Sequence, residues 1–292
     1  MVPESSSLLD TVMTALVAGD TGLVPWSHDA RMTQNNVELP LGDGAWLTVA
    51  EVDRVDIRMA TACGAAAIGI FREGPHWSPF CLRIGLGDAG KVAECELVVI
   101  RALDAAGAFC HADLVPRPEF AAPLGAAECT PVPEMLALVD GYFSTLQQNT
   151  GILHTRFDPA CRRRENGVWT TLSSDPNAPP TMRMTCAESF QLGFFRPNER
   201  VRGRRTPLVD ERTGLVLAGA FIDHSGRITE YELTDGRTLT SGFLRPHTYA
   251  MLELFKIVAG SITAIEAVFH PAPYGMRGAW VEEELSAPPR RS

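Results

Sequence analysis

Hydrophobic residues recur at helical spacing in two separate parts of the chain. The first stripe consists of Leu8, Leu9, Val12, Met13 and Leu16. The second stripe consists of Met135, Leu136, Val139, Tyr142, Phe143 and Leu146. Side chains three and four positions apart share one face of an α-helix, so we expect two amphipathic helices that each pack through an apolar face.

Strand-like segments lie near the end of each half of the chain. Residues 80–86 and 251–257 alternate between two faces, and each segment is followed by a glycine-bearing connection. The runs after these connections, GKVAECELVV at 90–99 and GSITAIEAVF at 260–269, align without a gap. Each half therefore predicts a β-hairpin with one buried face. Because both halves run from a helix to such a hairpin, the pattern indicates an internal duplication.

The two halves are joined by a stretch poor in charge and rich in proline, glycine and alanine, at about 121–133. Such a composition suits a connector, so we predict an N-terminal domain at 1–125 and a C-terminal domain at 126–292. The second half is longer, and the excess should fall between Cys161 and Thr240. There, 215–222 and 227–233 resemble an extra strand pair. Long insertions are usually lids, binding loops or interfaces.

A helix followed by a curved antiparallel sheet that wraps around it encloses a cone. We therefore expect an α+β protein made of two tandem cone-shaped α+β barrels, which together form a pseudo-dimer within one chain. A cavity inside such a cone is a natural site for a small molecule.

Composition and charge narrow the partners. The chain is 45% hydrophobic and 21% charged, and no apolar run reaches the roughly 18 residues of a membrane span. The first ten residues lack the pattern of a secretory signal, so we expect a cytoplasmic location. A formal charge of -9 disfavours nucleic acid, despite the arginines at 162–164 and 202–205. We expect a small-molecule partner, no nucleic acid and no membrane, and a homo-oligomer is compatible with the sequence.

Neither metal nor cofactor is expected from the motifs. The seven histidines lack the short spacing of a helix-borne metal site, and the seven cysteines include no C-x-x-C pair. The odd number of cysteines also argues against a complete disulfide framework. The glycines at 85–90 lie in a predicted hairpin and lack the spacing of a phosphate loop.

Three motifs carry a resemblance to a known family. They are C-x-R-x-E-N-G-x-x-T-T at 161–171, R-x-P-L-V-D-E-R-x-G-L-V at 205–216 and P-Y-G-M at 273–276. In these motifs the chain resembles a two-domain group, fungal and bacterial, of the nuclear transport factor two superfamily, which includes ketosteroid isomerase, scytalone dehydratase and polyketide cyclases. The resemblance implies the cone-shaped fold and a pocket that works without metal or nucleotide.

The resemblance also implies a catalytic pair. Tyr142 resembles the helix tyrosine that hydrogen-bonds the oxyanion in ketosteroid isomerase, and Glu165 resembles the general base of that enzyme. Arg163 and His270 complete the predicted catalytic set. Two structural alternatives stay open at this point: Tyr142 as a buried core aromatic, and Glu165 as the ion-pair partner of Arg163. Gln34 stands at the carboxylate position of the first half and cannot take a proton, which favours the second domain as the catalytic one.

Further residues near the expected pocket are predicted to contact the substrate. They are Asn166, Trp169, Tyr274, His154, Phe195 and Tyr249. Their aromatic character favours an aromatic ligand. The hypothesis is a cofactor-independent lyase or isomerase; the resemblance suggests one version, a formaldehyde-releasing lyase of lignin-derived diaryl compounds. The alternatives are a dehydratase or polyketide-cyclase-like enzyme, and a non-catalytic carrier or partner-binding domain.

Overall fold

The computed structural model describes residues 4–102 and 116–281, which form two α+β units of the same plan. In the first unit, helix α1 (Glu4–Ala18) precedes one mixed sheet. The strands are β1 (Trp26–Gln34), β2 (Val37–Leu39), β3 (Val49–Thr61), β4 (Gly64–Glu73), β5 (His76–Leu86) and β6 (Val92–Val99). Their order is β2-β1-β6-β5-β4-β3, and only the β1 and β6 pair is parallel.

The second unit repeats this plan and adds to it. Helix α2 (Val132–Gln148) precedes a sheet of order β8-β7-β14-β13-β10-β9, in which β7 and β14 run parallel. The strands of this sheet are β7 (Phe157–Glu165), β8 (Val168–Trp169), β9 (Arg200–Asp210), β10 (Leu215–His224), β13 (His247–Val258) and β14 (Ser261–Ala272). The additional elements are helix α3 (Cys186–Gln191) and the strands β11 (Glu230–Glu232) and β12 (Thr238–Thr240). The α+β fold of two tandem units is confirmed.

Strand register identifies equivalent residues in the two units. Arg163 on β7 pairs with Ile265, as Met32 on β1 pairs with Cys95. One turn follows both strands: Asn35 and Asn166 each have a positive φ, and each side-chain oxygen accepts a backbone N–H of the neighbouring strand. The hairpin glycines Gly90 and Gly260 also share a positive φ. These features agree with a duplication.

The packing of α2 depends on a glycine. Its apolar face, which includes Met135, Val139 and Phe143, packs on the concave face of the sheet. A side-chain carbon at Gly141 would lie 2.1 Å from the backbone oxygen of His154, so only glycine permits this approach. A left-handed residue, Asn149 (φ 44°), ends the helix. Any larger residue at 141 would push α2 away from the sheet.

The extra strand pair predicted at 215–222 and 227–233 is wrong. Strand β10 pairs with β9 and β13, and it corresponds to β4 of the first unit. All of its side chains are buried, because the sheet has α2 on one face and the other unit on the opposite face. The true additions lie at about 170–199 and 225–246, and the second contains the short β11 and β12 hairpin.

The two sheets meet across an apolar cluster, which includes Ile68 and Cys81 of the first unit and Leu217 and Leu252 of the second. Buried ion pairs accompany this cluster. Glu96 accepts hydrogen bonds from Arg83 of its own unit (2.8 Å) and from Arg205 of the second unit.

Glu266 on β14 occupies the position that Glu96 has on β6, and it pairs with Arg164 (2.9 Å) and Arg117 (3.0 Å). Breaking one partner of such a buried pair would be costly, since it leaves an uncompensated charge.

After β14 the chain crosses to the first unit, where Trp280 Nε1 donates to Thr33 Oγ1 (2.9 Å). The P-Y-G-M segment at 273–276 is held on the way, because Arg202 donates to the Met276 carbonyl (2.7 Å). The domain boundary at 125 and 126 stays a prediction. Within the described residues, no helix combines the length and the apolar character needed to cross a membrane.

Candidate functional site

A cavity of about 380 Å³ lies inside the second unit. Its walls are α2, the concave face of the sheet and the two additions to the basic plan, which supply most of the lining. Phe194, Phe195 and Phe243 come from these additions, and Met251 and Phe269 come from the sheet. The additions therefore act as the lid that the length of the second half predicted, and they leave the interior mostly apolar.

A buried charge pair lies in this apolar interior. Arg163, 1% exposed, places its Nε 3.5 Å from Glu165 Oε1 and donates to Thr170 Oγ1 (3.1 Å). Its guanidinium group stacks on Phe195, 4.7 Å from the ring centre. Burial acts against the charged form, but the Glu165 carboxylate outweighs it and raises the pKa of Arg163 above its ordinary value. Arg163 therefore stays cationic, and Glu165 balances its charge.

The turn that follows β7 holds Glu165 at the cavity wall. Asn166, in the left-handed conformation (φ 47°), accepts a hydrogen bond from Phe269 N (2.9 Å) and donates one to Phe269 O (3.1 Å). Asn and Gly are the residues that adopt this conformation most readily, which explains Asn166 and Gly167 in sequence. The Glu165 side chain keeps 17% of its surface exposed and lines the cavity.

Replacing Asn166 by alanine is expected to lower the free energy of unfolding by about 2 kcal/mol, because two buried hydrogen bonds are lost. Turnover should also fall, since Glu165 precedes the turn. Asn35→Ala is the matched control in the first unit, where the Asn35 side chain accepts from Val99 N (2.8 Å). Chemical denaturation and turnover of both variants check this. Equal turnover losses in the two variants would contradict the positioning role.

A second carboxyl group lies behind Tyr142. Tyr142 Oη donates to Glu253 Oε1 (2.9 Å), and both side chains are inaccessible to solvent. Burial, and after it the charge of Glu165, raises the pKa of Glu253 to about 8. Burial and Glu253 likewise raise the pKa of Tyr142 well above its ordinary value. The other oxygen of Glu253 has no hydrogen-bond partner among the described residues. Glu253 is therefore a protonated, neutral acid at neutral pH.

The sequence stage missed Glu253, although a signal was present. In the predicted alternation of 251–257, Glu253 shares a face with Met251 and Phe255, which is the apolar face. A carboxylate at an inward position of a buried strand is unusual and marks a candidate site residue.

The first unit lacks this polar cluster at the equivalent positions. Met32 occupies the position of Arg163, and Gln34 occupies that of Glu165. The Gln34 side chain accepts from Ala45 N (2.7 Å), which is a purely structural contact. At the position of Glu253 the first unit has Leu82, since Leu82 pairs with Leu97 as Glu253 pairs with Ala267. The apolar core of the first unit continues through these positions.

Comparisons with known proteins fit the central part of the second unit. A family described as a domain of unknown function, DUF8021, matches residues 131–269. This span runs from the residue before α2 into β14 and includes Tyr142, Arg163, Glu165 and Glu253. Comparison with curated proteins gives no match.

Two similar solved structures illustrate the likeness. A protein with a cystatin-like fold, conserved in bacteria, from Silicibacter pomeroyi is 16% identical, with 32% of this chain and 73% of that chain covered and a TM-score of 0.27. A steroid delta-isomerase from Pseudomonas aeruginosa is 16% identical, with 33% and 79% covered and a TM-score of 0.26.

The cavity brings together half of the residues that the sequence proposed for a site. These are Tyr142, Arg163, Glu165, Phe195 and Tyr249. Burial, and after it the Glu165 charge, raises the pKa of Tyr249 to about 12, so its phenol stays protonated.

The other half lies outside the cavity. His270 alternates with Phe269 along β14, and because Phe269 faces the cavity, His270 faces away. Trp169 is stacked 3.7 Å from the Arg162 guanidinium, on the other face of the sheet.

The remaining three of this half also have other surroundings. His154 contacts Gln148 (3.0 Å), and Tyr274 is 39% exposed beyond the end of β14. Asn166 shapes the turn after β7 and does not line the cavity.

His224 and Asn198 line the cavity, and sequence reasoning did not place them there. His224 is the last residue of β10, and its Nε2 lies 2.8 Å from Asn198 Oδ1. Asn198 belongs to the first addition to the plan, whose path over the sheet has no sequence signature. Burial and the neighbouring His247 lower the pKa of His224 to about 3, so its ring is neutral at neutral pH.

Proposed function

We propose that the cavity of the second unit is the active site of a cofactor-independent enzyme that performs acid–base chemistry on a small aromatic molecule. The observation that carries the proposal is the polar cluster of Arg163, Glu165, Tyr142 and Glu253 inside a lidded, mostly apolar cavity. The first unit, with the same fold, has Met32, Gln34 and Leu82 at three of these positions. A fold needs none of these buried polar groups, so their presence favours chemistry.

Glu165 is assigned the role of general base. It lines the cavity at the end of a rigid strand, and its carboxylate is held by Arg163 3.5 Å away. A carboxylate in a site with little water takes a proton from carbon or oxygen more readily than one in bulk solvent. Arg163 keeps the carboxylate in place and limits its cost of burial.

Tyr142 and Glu253 are assigned the role of acid. Below about pH 8 the Glu253 carboxyl is protonated, so it can satisfy the phenol oxygen while the phenol donates to a developing negative charge. Above this pH, an ionised Glu253 would hold the Tyr142 proton and repel an oxyanion. The acid function should therefore fail as the pH rises through about 8.

These roles fit a lyase or isomerase. In the formaldehyde-releasing version, Glu165 would remove the hydroxymethyl O–H proton of a diaryl compound, and cleavage of the adjacent C–C bond would release formaldehyde. The electron pair of that bond would pass into the aromatic part of the molecule, where Tyr142 would stabilise the negative charge. Dehydration, or a proton shift beside a carbonyl, would use the same pair. A non-catalytic carrier is the alternative that the apolar, lidded cavity itself favours.

Screening tests the proposal. Purified protein is incubated with phenolic diaryl and keto compounds, while formaldehyde release and ultraviolet spectra are followed. Binding of a compound without conversion would favour the carrier.

Activity is expected to survive exhaustive chelation and dialysis, because the proposed steps use only side chains of this chain. The measurement compares turnover before and after treatment with a chelator. A loss of turnover that one metal ion restores in stoichiometric amount would contradict the cofactor-independent mechanism.

A further inference from the structure

The cavity has a second polar end, far from Glu165. Along β13 and β10, Glu253 pairs with Ala218, whereas His224 pairs with His247. The six-residue difference corresponds to roughly 20 Å along a strand. Between the two ends, Met251 and Phe269 line the cavity with apolar surface. The site is therefore elongated, with polar groups at each end.

Asn198 and His224 form the polar group at the far end. His224 is 1% exposed and stacks on His247, with the ring centres 4.6 Å apart. Its Nε2 lies 2.8 Å from Asn198 Oδ1, and the Asn198 side chain makes no other hydrogen bond within the described part of the chain. Because Asn198 also lines the cavity, its amide N–H groups are available to an acceptor on a ligand.

The cavity carries no net charge for an ionic ligand to answer. The positive charge of Arg163 is balanced by Glu165, and Glu253 is neutral below about pH 8. His224 is neutral at any pH well above its pKa of about 3. A carboxylate or an ammonium group would lose its hydration here without gaining a counter-ion, which is unfavourable.

We infer that the substrate is a neutral, elongated aromatic molecule whose far end carries a hydroxyl or ether oxygen, and that Asn198, oriented by His224, donates to this oxygen. The inference rests on the proposed function in taking the Glu165 end as the reacting end. It makes Asn198 a specificity-determining residue, since a site built to donate to an oxygen discriminates against analogues that lack it.

The test uses direct binding, so it does not depend on turnover. Fluorescence titration compares three probes: stilbene, 4-hydroxystilbene and stilbene-4-carboxylate. Wild-type protein should bind 4-hydroxystilbene about tenfold more tightly than stilbene, the effect of one buried hydrogen bond. Stilbene-4-carboxylate should bind most weakly. Asn198→Leu should abolish the preference for the hydroxyl and retain the affinity for stilbene.

Two further variants make the result decisive. Asn177→Leu changes an exposed asparagine of the same addition and should keep the preference. Asn198→Leu combined with His224→Phe removes both hydrogen-bonding partners, so no buried polar atom loses its partner if the single variant folds poorly. The double variant should bind stilbene and 4-hydroxystilbene equally.

Three results would overturn the inference: a hydroxyl preference that persists in both Asn198 variants, a preference that Glu165→Gln removes instead, or failure of every probe to bind. Loss of the preference in the Asn198 variants would support the inference even for a protein without turnover, in which case the proposed enzyme function alone would fail.

Discussion

Replacing Glu165 by glutamine is expected to lower turnover by roughly 10²- to 10⁴-fold, the usual contribution of a general base. The amide keeps the shape of the side chain and can still accept a hydrogen bond from Arg163, but it cannot take a proton. The buried arginine then lacks a counter-charge, so the melting temperature should also fall. Turnover and melting temperature are measured on the same preparations.

The first unit supplies the control for this experiment. It folds with Met32 and Gln34 at the positions of Arg163 and Glu165. The double variant Arg163→Met with Glu165→Gln should therefore regain the melting temperature of the wild type, because no unpaired charge remains. It should not regain turnover. Recovery of both quantities together would show that Glu165 serves only in a structural ion pair.

Replacing Glu253 by leucine, the residue at the equivalent position of the first unit, is expected to stabilise the protein at pH 8 and above by a few kcal/mol. The folded state holds the Glu253 proton up to about pH 8, whereas an unfolded chain releases it near the ordinary value of 4.5. The folded state therefore binds more protons between these values, and stability contributed by this group falls as pH rises across that window. Below about pH 4.5 the carboxyl is protonated in both states and imposes no such cost.

Denaturation at pH 5, 6, 7, 8 and 9 measures this effect. The difference between wild type and Glu253→Leu should widen from pH 5 to about pH 8 and then level off. Glu253→Gln is the control that retains a hydrogen bond with Tyr142 but cannot ionise, and its difference from wild type should widen in the same way. Differences that are independent of pH would mean that Glu253 is ionised in the folded protein.

Local patterns in the sequence were sufficient for the general architecture. The helical stripes and the aligned hairpin runs are short-range signals, and the structure has α1, α2 and both hairpins in these places. The strand pair expected at 215–222 and 227–233 failed because pairing depends on which strand lies alongside. Strand β10 is flanked by β9 and β13, and the alternation of its own residues carries no information on these neighbours.

The site depends on contacts that are distant in sequence. Tyr142 and Glu253 are 111 positions apart, and only the folded sheet brings them within hydrogen-bonding distance. Strand alternation predicts which face Glu253 occupies, but not that a phenol lies opposite. The lid residue Asn198 is harder still, since no periodic pattern fixes the path of an irregular addition.

Product formation by chelator-treated protein, measured side by side for wild type and for Arg163→Met with Glu165→Gln, tests the central claim most directly. The account predicts that wild-type protein converts at least one of the phenolic diaryl or keto compounds, with formaldehyde or a spectral change as the signal. It also predicts that the double variant, folded to the same melting temperature, binds the compound and forms no product above background. Equal rates for the two proteins, or binding by both with no conversion by either, would contradict it.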